Sequence, residues 1–155
     1  DVLYGGGRYQ EASDVYEETL TTLAALTGLD EERMRKRTVV RGFLLQSKAA
    51  CMHKMQRFEE AVAACSEALE GDASNQKALL RRAQCHLDAG SFSKAYIDYC
   101  ELSSLGAGGT DVSRALDTLR QQHPEAVEEA EETLAEQRRR RRRRGGRLDA
   151  FERAA

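Results

Sequence analysis

Lys77 and Arg81 stand four residues apart in a stretch rich in helix formers, so on a helix their side chains leave one face. A lysine and an arginine side by side in a groove make a receptor for a carboxylate. Arginine grips it with two parallel hydrogen bonds, and lysine adds a compact point charge. Ser47 and Lys48 lie one period earlier, since 81 − 47 and 82 − 48 both equal 34. They complete the candidate carboxylate site, and the other reading of all four is a solvated helix face with scattered charge. A second basic feature is the unbroken run Arg138, Arg139, Arg140, Arg141, Arg142, Arg143 and Arg144. Three readings stay open for it: a charge-segregated solvated helix, a basic address for nuclear import or an acidic protein surface, and contact with RNA phosphates. The run holds no aromatic residue for base stacking, which argues against sequence-specific recognition.

Nothing else in the chain assembles a catalytic constellation. His53, His86 and His123 sit in different surroundings and none belongs to a metal or nucleophile motif. Gly5-Gly6-Gly7 and the stretch from Gly106 to Gly109 neither follow a strand pattern nor carry a phosphate-loop lysine. Cys51, Cys65, Cys85 and Cys100 lack Cys-x-x-Cys spacing and read as buried, reduced thiols, which points to the cytoplasm or, second, the nucleus. The expectation is therefore no enzyme, no metal and no cofactor.

The elements that must position these residues follow from a repeat. Leu45, Ala49, Cys51, Phe58 and Ala61 recur as Leu79, Ala83, Cys85, Phe92 and Ala95, each 34 residues on. A period of about 34 residues with small and aromatic residues in fixed places marks a solenoid of helical hairpins. The composition agrees. In 155 residues there is one proline and no tryptophan, and 32% are charged, a mix suited to helices rather than sheet. The net charge of −2 conceals segregation, because six glutamates between Glu125 and Glu136 immediately precede the arginines. No apolar run is long enough to span a bilayer, so no membrane contact is expected. The chain lacks an initial Met and starts inside a helical pattern, as a fragment of a longer protein would.

The expected architecture is all-α. Residues 1–104 form the repeats: 1–37 an incomplete first repeat with an insertion, 38–71 the second and 72–104 the third. Only the end of the first leading helix is present, at Asp1 to Tyr4. From Gly7 to Gln56 is 49 residues, and the surplus near Leu26 to Lys36 predicts longer helices joined by a loop, with Asp30 as an N-cap. Leading helices are expected from Thr38 to Met55 and from Asn75 to Ala89. Residues 105–121 form a capping helix over Asp111 to Gln121, capped by Thr110 or Asp111, with Val112, Ala115, Leu116 and Leu119 covering the open end of the stack. Residues 122–155 form a charged helix and tail, too poor in apolar residues to bury, that projects into solvent and frays at Gly145-Gly146.

At Asn75-Gln76-Lys77-Ala78-Leu79-Leu80-Arg81-Arg82-Ala83-Gln84, at Lys48-Ala49-Ala50-Cys51 and at Gln56-Arg57-Phe58-Glu59-Glu60-Ala61, the chain resembles tetratricopeptide repeats (TPR) of the co-chaperone type. The resemblance covers roughly residues 1–121, is strongest over the last two repeats, and extends to J-domain co-chaperones and large immunophilins. It implies a TPR helical-hairpin solenoid that binds the Glu-Glu-Val-Asp C-terminus of heat-shock chaperones through a two-carboxylate clamp. The clamp's lysine and arginine correspond to Lys77 and Arg81. Ser47 replaces an asparagine on the second leading helix, and Asp1 stands where the first carries another. The expected function is thus a co-chaperone-like interaction scaffold taking a chaperone C-terminal peptide, or another acidic peptide, in a concave groove. The alternative is a structural or assembly subunit whose Arg-rich helix contacts RNA or an acidic protein.

Overall fold

The computed structural model describes residues 8–154, with side chains over 8–143. Residues 1–7, including the expected remnant of the first leading helix and Asp1, lie outside the described residues. Within them the chain forms seven helices and no strand: α1 (Tyr9–Ala24), α2 (Glu31–Lys54), α3 (Phe58–Gly71), α4 (Gln76–Asp88), α5 (Phe92–Ser104), α6 (Gly109–Gln122) and α7 (Pro124–Ala154). Each helix packs on its sequence neighbour from α1 through α7; α2 also reaches α4, and α7 returns to α5. This is the helical-hairpin solenoid the repeat predicts.

The repeated residues build the seams. Ala49, Cys51, Ala61, Ala83, Cys85 and Ala95 are fully buried, with Leu45 and Leu79 beside them. Small side chains at these places let backbones approach closely, while the larger Tyr96, Tyr99 and Leu102 of α5 are buried in the same core. The leading helices α2, α4 and the trailing helix α5 end alike. In the last turn of each, a backbone N–H reaches five residues back (Arg57 to Met52, Ser91 to His86, Ala107 to Leu102), and a left-handed residue sits at the bend. Gly90 and Gly106 fill that place in two cases, but in the first it is Gln56, at φ 60°.

Two boundaries differ from expectation. Helix α2 begins at Glu31, seven residues before Thr38. Asp30 caps it by accepting a hydrogen bond from the Arg33 N–H at 2.8 Å. Glu31–Arg35 and Glu32–Lys36 then pair one turn apart, at 2.6 Å each. The surplus of fifteen residues thus lengthens the helices on either side of a short loop, as expected, and it is the start of the second leading helix that lies earlier than Thr38. Helix α6 begins at Gly109 and has no side-chain cap, so neither Thr110 nor Asp111 does that work. Gly108, at φ 86°, forms the bend instead; a Cβ there would lie 2.0 Å from a Val112 methyl, so only glycine fits. Val112, Leu116 and Leu119 are buried, as the amphipathic pattern requires, and Ala115 is partly so.

Helix α7 departs most. Its first turns do not stand in solvent: Val127 and Ala130 are buried against the array. Tyr96 donates to Glu131 at 3.0 Å and accepts from Arg120 at 3.1 Å, and Phe92 stacks on His123 at 3.5 Å. Three well-placed apolar contacts and a polar latch suffice where overall apolar content looked too low. From Ala135 to Arg143 the helix is exposed, and its backbone stays helical through Gly145-Gly146 rather than fraying there.

Candidate functional site

Leading helices α2 and α4 lie side by side because their small repeated residues permit close packing, and this brings Lys77 and Arg81 beside Ser47. The three line one hollow of about 250 Å³ together with Tyr16 of α1 and Phe43, Gln46 and Ala50 of α2. Asn75, at the start of α4, ties that helix to Gln46, one of the lining residues. Its side-chain oxygen accepts from the Ala78 N–H at 3.1 Å, capping the helix, and from Gln46 at 3.2 Å. Lys77 is exposed and Arg81 half-buried. Neither forms a hydrogen bond or ion pair with another described residue. Among the described residues no acid lines the hollow, and none of them pairs with its two cations.

The sequence reading did not single out Tyr16, Phe43, Gln46 and Ala50. A signal existed for Phe43: it holds in α2 the place that Lys77 holds in α4, since 77 − 43 = 34. The two leading helices therefore present opposite chemistry to the same hollow.

Lys48 is not among the lining residues. Its ammonium pairs instead with Glu17 of α1. Its repeat equivalent, Arg82, turns into the next seam and grips Asp98 of α5 with two hydrogen bonds, at 2.6 and 2.9 Å, while a third reaches Ser66 of α3 at 3.2 Å. Asp98 is 3% exposed. Glu17 and Ser66 are themselves equivalent, because the first turn-to-turn distance is 49 residues and 66 − 17 = 49. Lys48 and Arg82 thus make the same kind of tie, from each leading helix back to the preceding trailing helix.

The thiols are packing groups. Cys51, Cys65 and Cys85 are buried and Cys100 half-buried, all as free thiols. Burial pushes the Cys65 thiol up to about 12 and that of Cys85 up to about 11, the Arg81 charge opposing this only in part. His86 lies 4.0 Å from Asp98, and burial holds its imidazole below the ordinary value of 6.5. His53 pairs with Asp88 at 2.5 Å. Among the described residues no group of three or more His, Cys, Asp or Glu side chains is placed to hold a metal, and no helix is long and apolar enough to cross a membrane.

Arg138 to Arg143 lie on the exposed part of α7; Arg144 falls beyond the residues whose side chains are described. Within the run Arg140 pairs with Glu136, one turn back, at 2.6 Å. The run lies on a different helix from Lys77 and Arg81 and lines separate surfaces, Arg138 and Arg141 beside Ile97 and Cys100 of α5.

With this geometry in view, the likenesses to known proteins are informative. Residues 52–96 match the tetratricopeptide repeat family model. The chain is 31% identical over 104 residues to peptidyl-prolyl cis-trans isomerase FKBP4 of Rattus norvegicus, a match covering 67% of this chain and 23% of that protein. It is 30% identical over 93 residues to DnaJ homolog subfamily C member 7 of Mus musculus, covering 60% and 17% respectively. It is also 32% identical over 96 residues to mitochondrial import receptor subunit TOM34 of Rattus norvegicus, covering 62% and 29%. The match therefore spans between 17% and 29% of the length of these relatives. Among solved structures, the C-terminal TPR-containing domain of a Plasmodium falciparum FK506-binding protein superposes with a TM-score of 0.67 at 20% identity, over 81% of this chain and 84% of that one. That likeness establishes the fold.

Proposed function

We propose that this tetratricopeptide-repeat array is a protein-interaction scaffold whose hollow between α2 and α4 takes the free C-terminus of an acidic peptide. One observation carries the reading: Lys77 and Arg81, which no described residue neutralises, line the same hollow. A carboxylate entering it gains charge-assisted hydrogen bonds with no internal partner to displace. The similarity to co-chaperone repeats makes the Glu-Glu-Val-Asp tail of a heat-shock chaperone the first peptide to test, with other acidic C-termini beside it. The array acts by binding rather than by chemistry, without cofactor or metal, in the cytoplasm. Titrating labelled Glu-Glu-Val-Asp peptide into the protein should give saturable binding that Lys77→Ala plus Arg81→Ala abolishes. Binding that survives the double substitution ends this reading.

The exposed arginines of α7 support a second role, in which that helix contacts RNA or an acidic protein within an assembly. Filter binding over a salt series tests it: an interaction through the run loses affinity steeply as salt rises, with a log–log slope of about −0.9 per phosphate contact, and vanishes when residues 138–144 are deleted.

A further inference from the structure

The hollow has two unlike walls. Helix α4 supplies both cations, Lys77 and Arg81, while α1 and α2 supply Tyr16, Phe43, Gln46, Ser47 and Ala50. The wall from α1 and α2 offers the rings of Tyr16 and Phe43, the Ala50 methyl, the Tyr16 and Ser47 hydroxyls and the Gln46 amide but, among the described residues, no charge, and Lys48 of α2 is held away by Glu17. Phe43 is 66% exposed, and Val39, one turn earlier on the same helix face, is 74% exposed, with Val40 adjoining them at 46%. Large apolar side chains left open in contact with a charged hollow are the mark of a surface that something covers.

A hollow built this way sorts its ligands. One carboxylate can bridge Lys77 and Arg81 on the α4 wall. A second carboxylate, such as an aspartate side chain, competes for the same two cations or turns toward the α1 and α2 wall, where it sheds water and meets only the neutral donors of Tyr16, Gln46 and Ser47 beside the Phe43 ring. An apolar side chain turned the same way buries area against the exposed ring and stacks on it if aromatic. From this asymmetry we infer that the preferred ligand is a peptide whose terminal carboxylate is free and whose last side chain is apolar, best aromatic. The inference rests on the binding role proposed for this hollow and narrows the class of C-terminus it selects.

Fluorescence anisotropy on the whole chain, with labelled peptides that share Glu-Glu-Val and end in Phe, Asp or Phe-amide, tests both steps separately. The Phe acid should bind about tenfold more tightly than the Asp acid, the gain expected for partial burial of one ring. Amidating the Phe peptide should remove most of its affinity. Phe43→Ala should bring the ratio of the two acids to about one, with Phe43→Leu between, since a γ-branched side chain keeps part of the contact area. Because Phe43 lies outside the core, helical circular dichroism confirms that both variants fold. If the Asp acid binds as tightly as the Phe acid, or Phe43→Ala leaves their ratio alone, the selectivity inference is overturned. In that event sensitivity to Lys77→Ala plus Arg81→Ala still supports the carboxylate role. If that double substitution weakens neither peptide, or neither peptide binds, the binding role fails and takes this inference with it.

Discussion

Arg81 and Arg82 are the same residue type, one position apart on one helix, yet they belong to different parts of the molecule. Arg81 faces the hollow without an ion-pair partner among the described residues; Arg82 enters the seam and holds Asp98 of α5 and Ser66 of α3. A step of one residue rotates a side chain by about 100° on an α-helix, enough to exchange solvent for the interior. The comparison shows that the chemical identity of a basic residue says little about its role. What decides is whether the fold places an acid opposite it. Where it does, the charge is spent on cohesion; where it does not, the charge remains available to a ligand.

The comparison can be broken most forcefully at the seam. Arg82→Ala leaves Asp98 buried without its two short hydrogen bonds, with only His86 nearby at 4.0 Å, and should cost about 3–5 kcal/mol of unfolding free energy in urea melts. Arg81→Ala, by contrast, should change stability by less than about 0.5 kcal/mol, as substitutions that bury or break nothing do. The next largest effect belongs to the hollow. Replacing Lys77 and Arg81 together by alanine should weaken an acidic C-terminal peptide by at least about 2 kcal/mol, roughly thirtyfold, in isothermal titration. Equal losses of stability at positions 81 and 82 would erase the distinction.

Lys48 sharpens the same contrast by magnitude. It makes the tie equivalent to Arg82, but its partner Glu17 is 57% exposed on its side chain, so water screens the pair. Lys48→Ala should cost under about 1 kcal/mol of stability and leave peptide affinity within about twofold, both measurable on one preparation. The smallest effect is a pH dependence confined to the seam. Burial, partly opposed by Asp98, lowers the His86 imidazole below 6.5, so the unfolded chain takes up its proton more readily than the folded one. Stability from this group is complete above pH 6.5 and declines as pH falls through that value toward the lowered folded one. Urea melts at pH 7.5 and 5.5 should show this decline, and His86→Gln should reduce it. Because His86 is not among the residues lining the hollow, peptide capture there should not follow the same curve.

Several features were legible before any coordinates because they repeat. The small residues at 49 and 83, and at 61 and 95, fall on one face of each helix at a fixed period, and only close hairpin packing explains them. The pairing of Lys77 with Arg81 was equally readable from a spacing of four. Asp98 was not, since its partner lies 16 residues away on another helix and nothing local marks an acid as buried. Lys48 was assigned to the hollow on its equivalence to Arg82, and the structure shows what that equivalence meant: both reach back to the preceding trailing helix, and Arg82 also holds Asp98 within its own hairpin. Phe43 was missed although its place corresponds to that of Lys77, because aromatic residues in a helix read first as core. The docking of α7 was missed for a related reason. Val127, Ala130, Glu131 and His123 are too few to signal burial until Tyr96 and Phe92 are seen waiting for them.

The order of the residues by itself determined the helices, their pairing into stacked hairpins and the face from which Lys77 and Arg81 emerge, since these depend on periodicity and on contacts within one repeat. Only the tertiary structure decided which cations are neutralised, which ring stands open beside them and where the terminal helix rests. Those outcomes depend on what a neighbouring helix brings within a few ångströms, and charge and burial are settled by distance in space rather than along the chain.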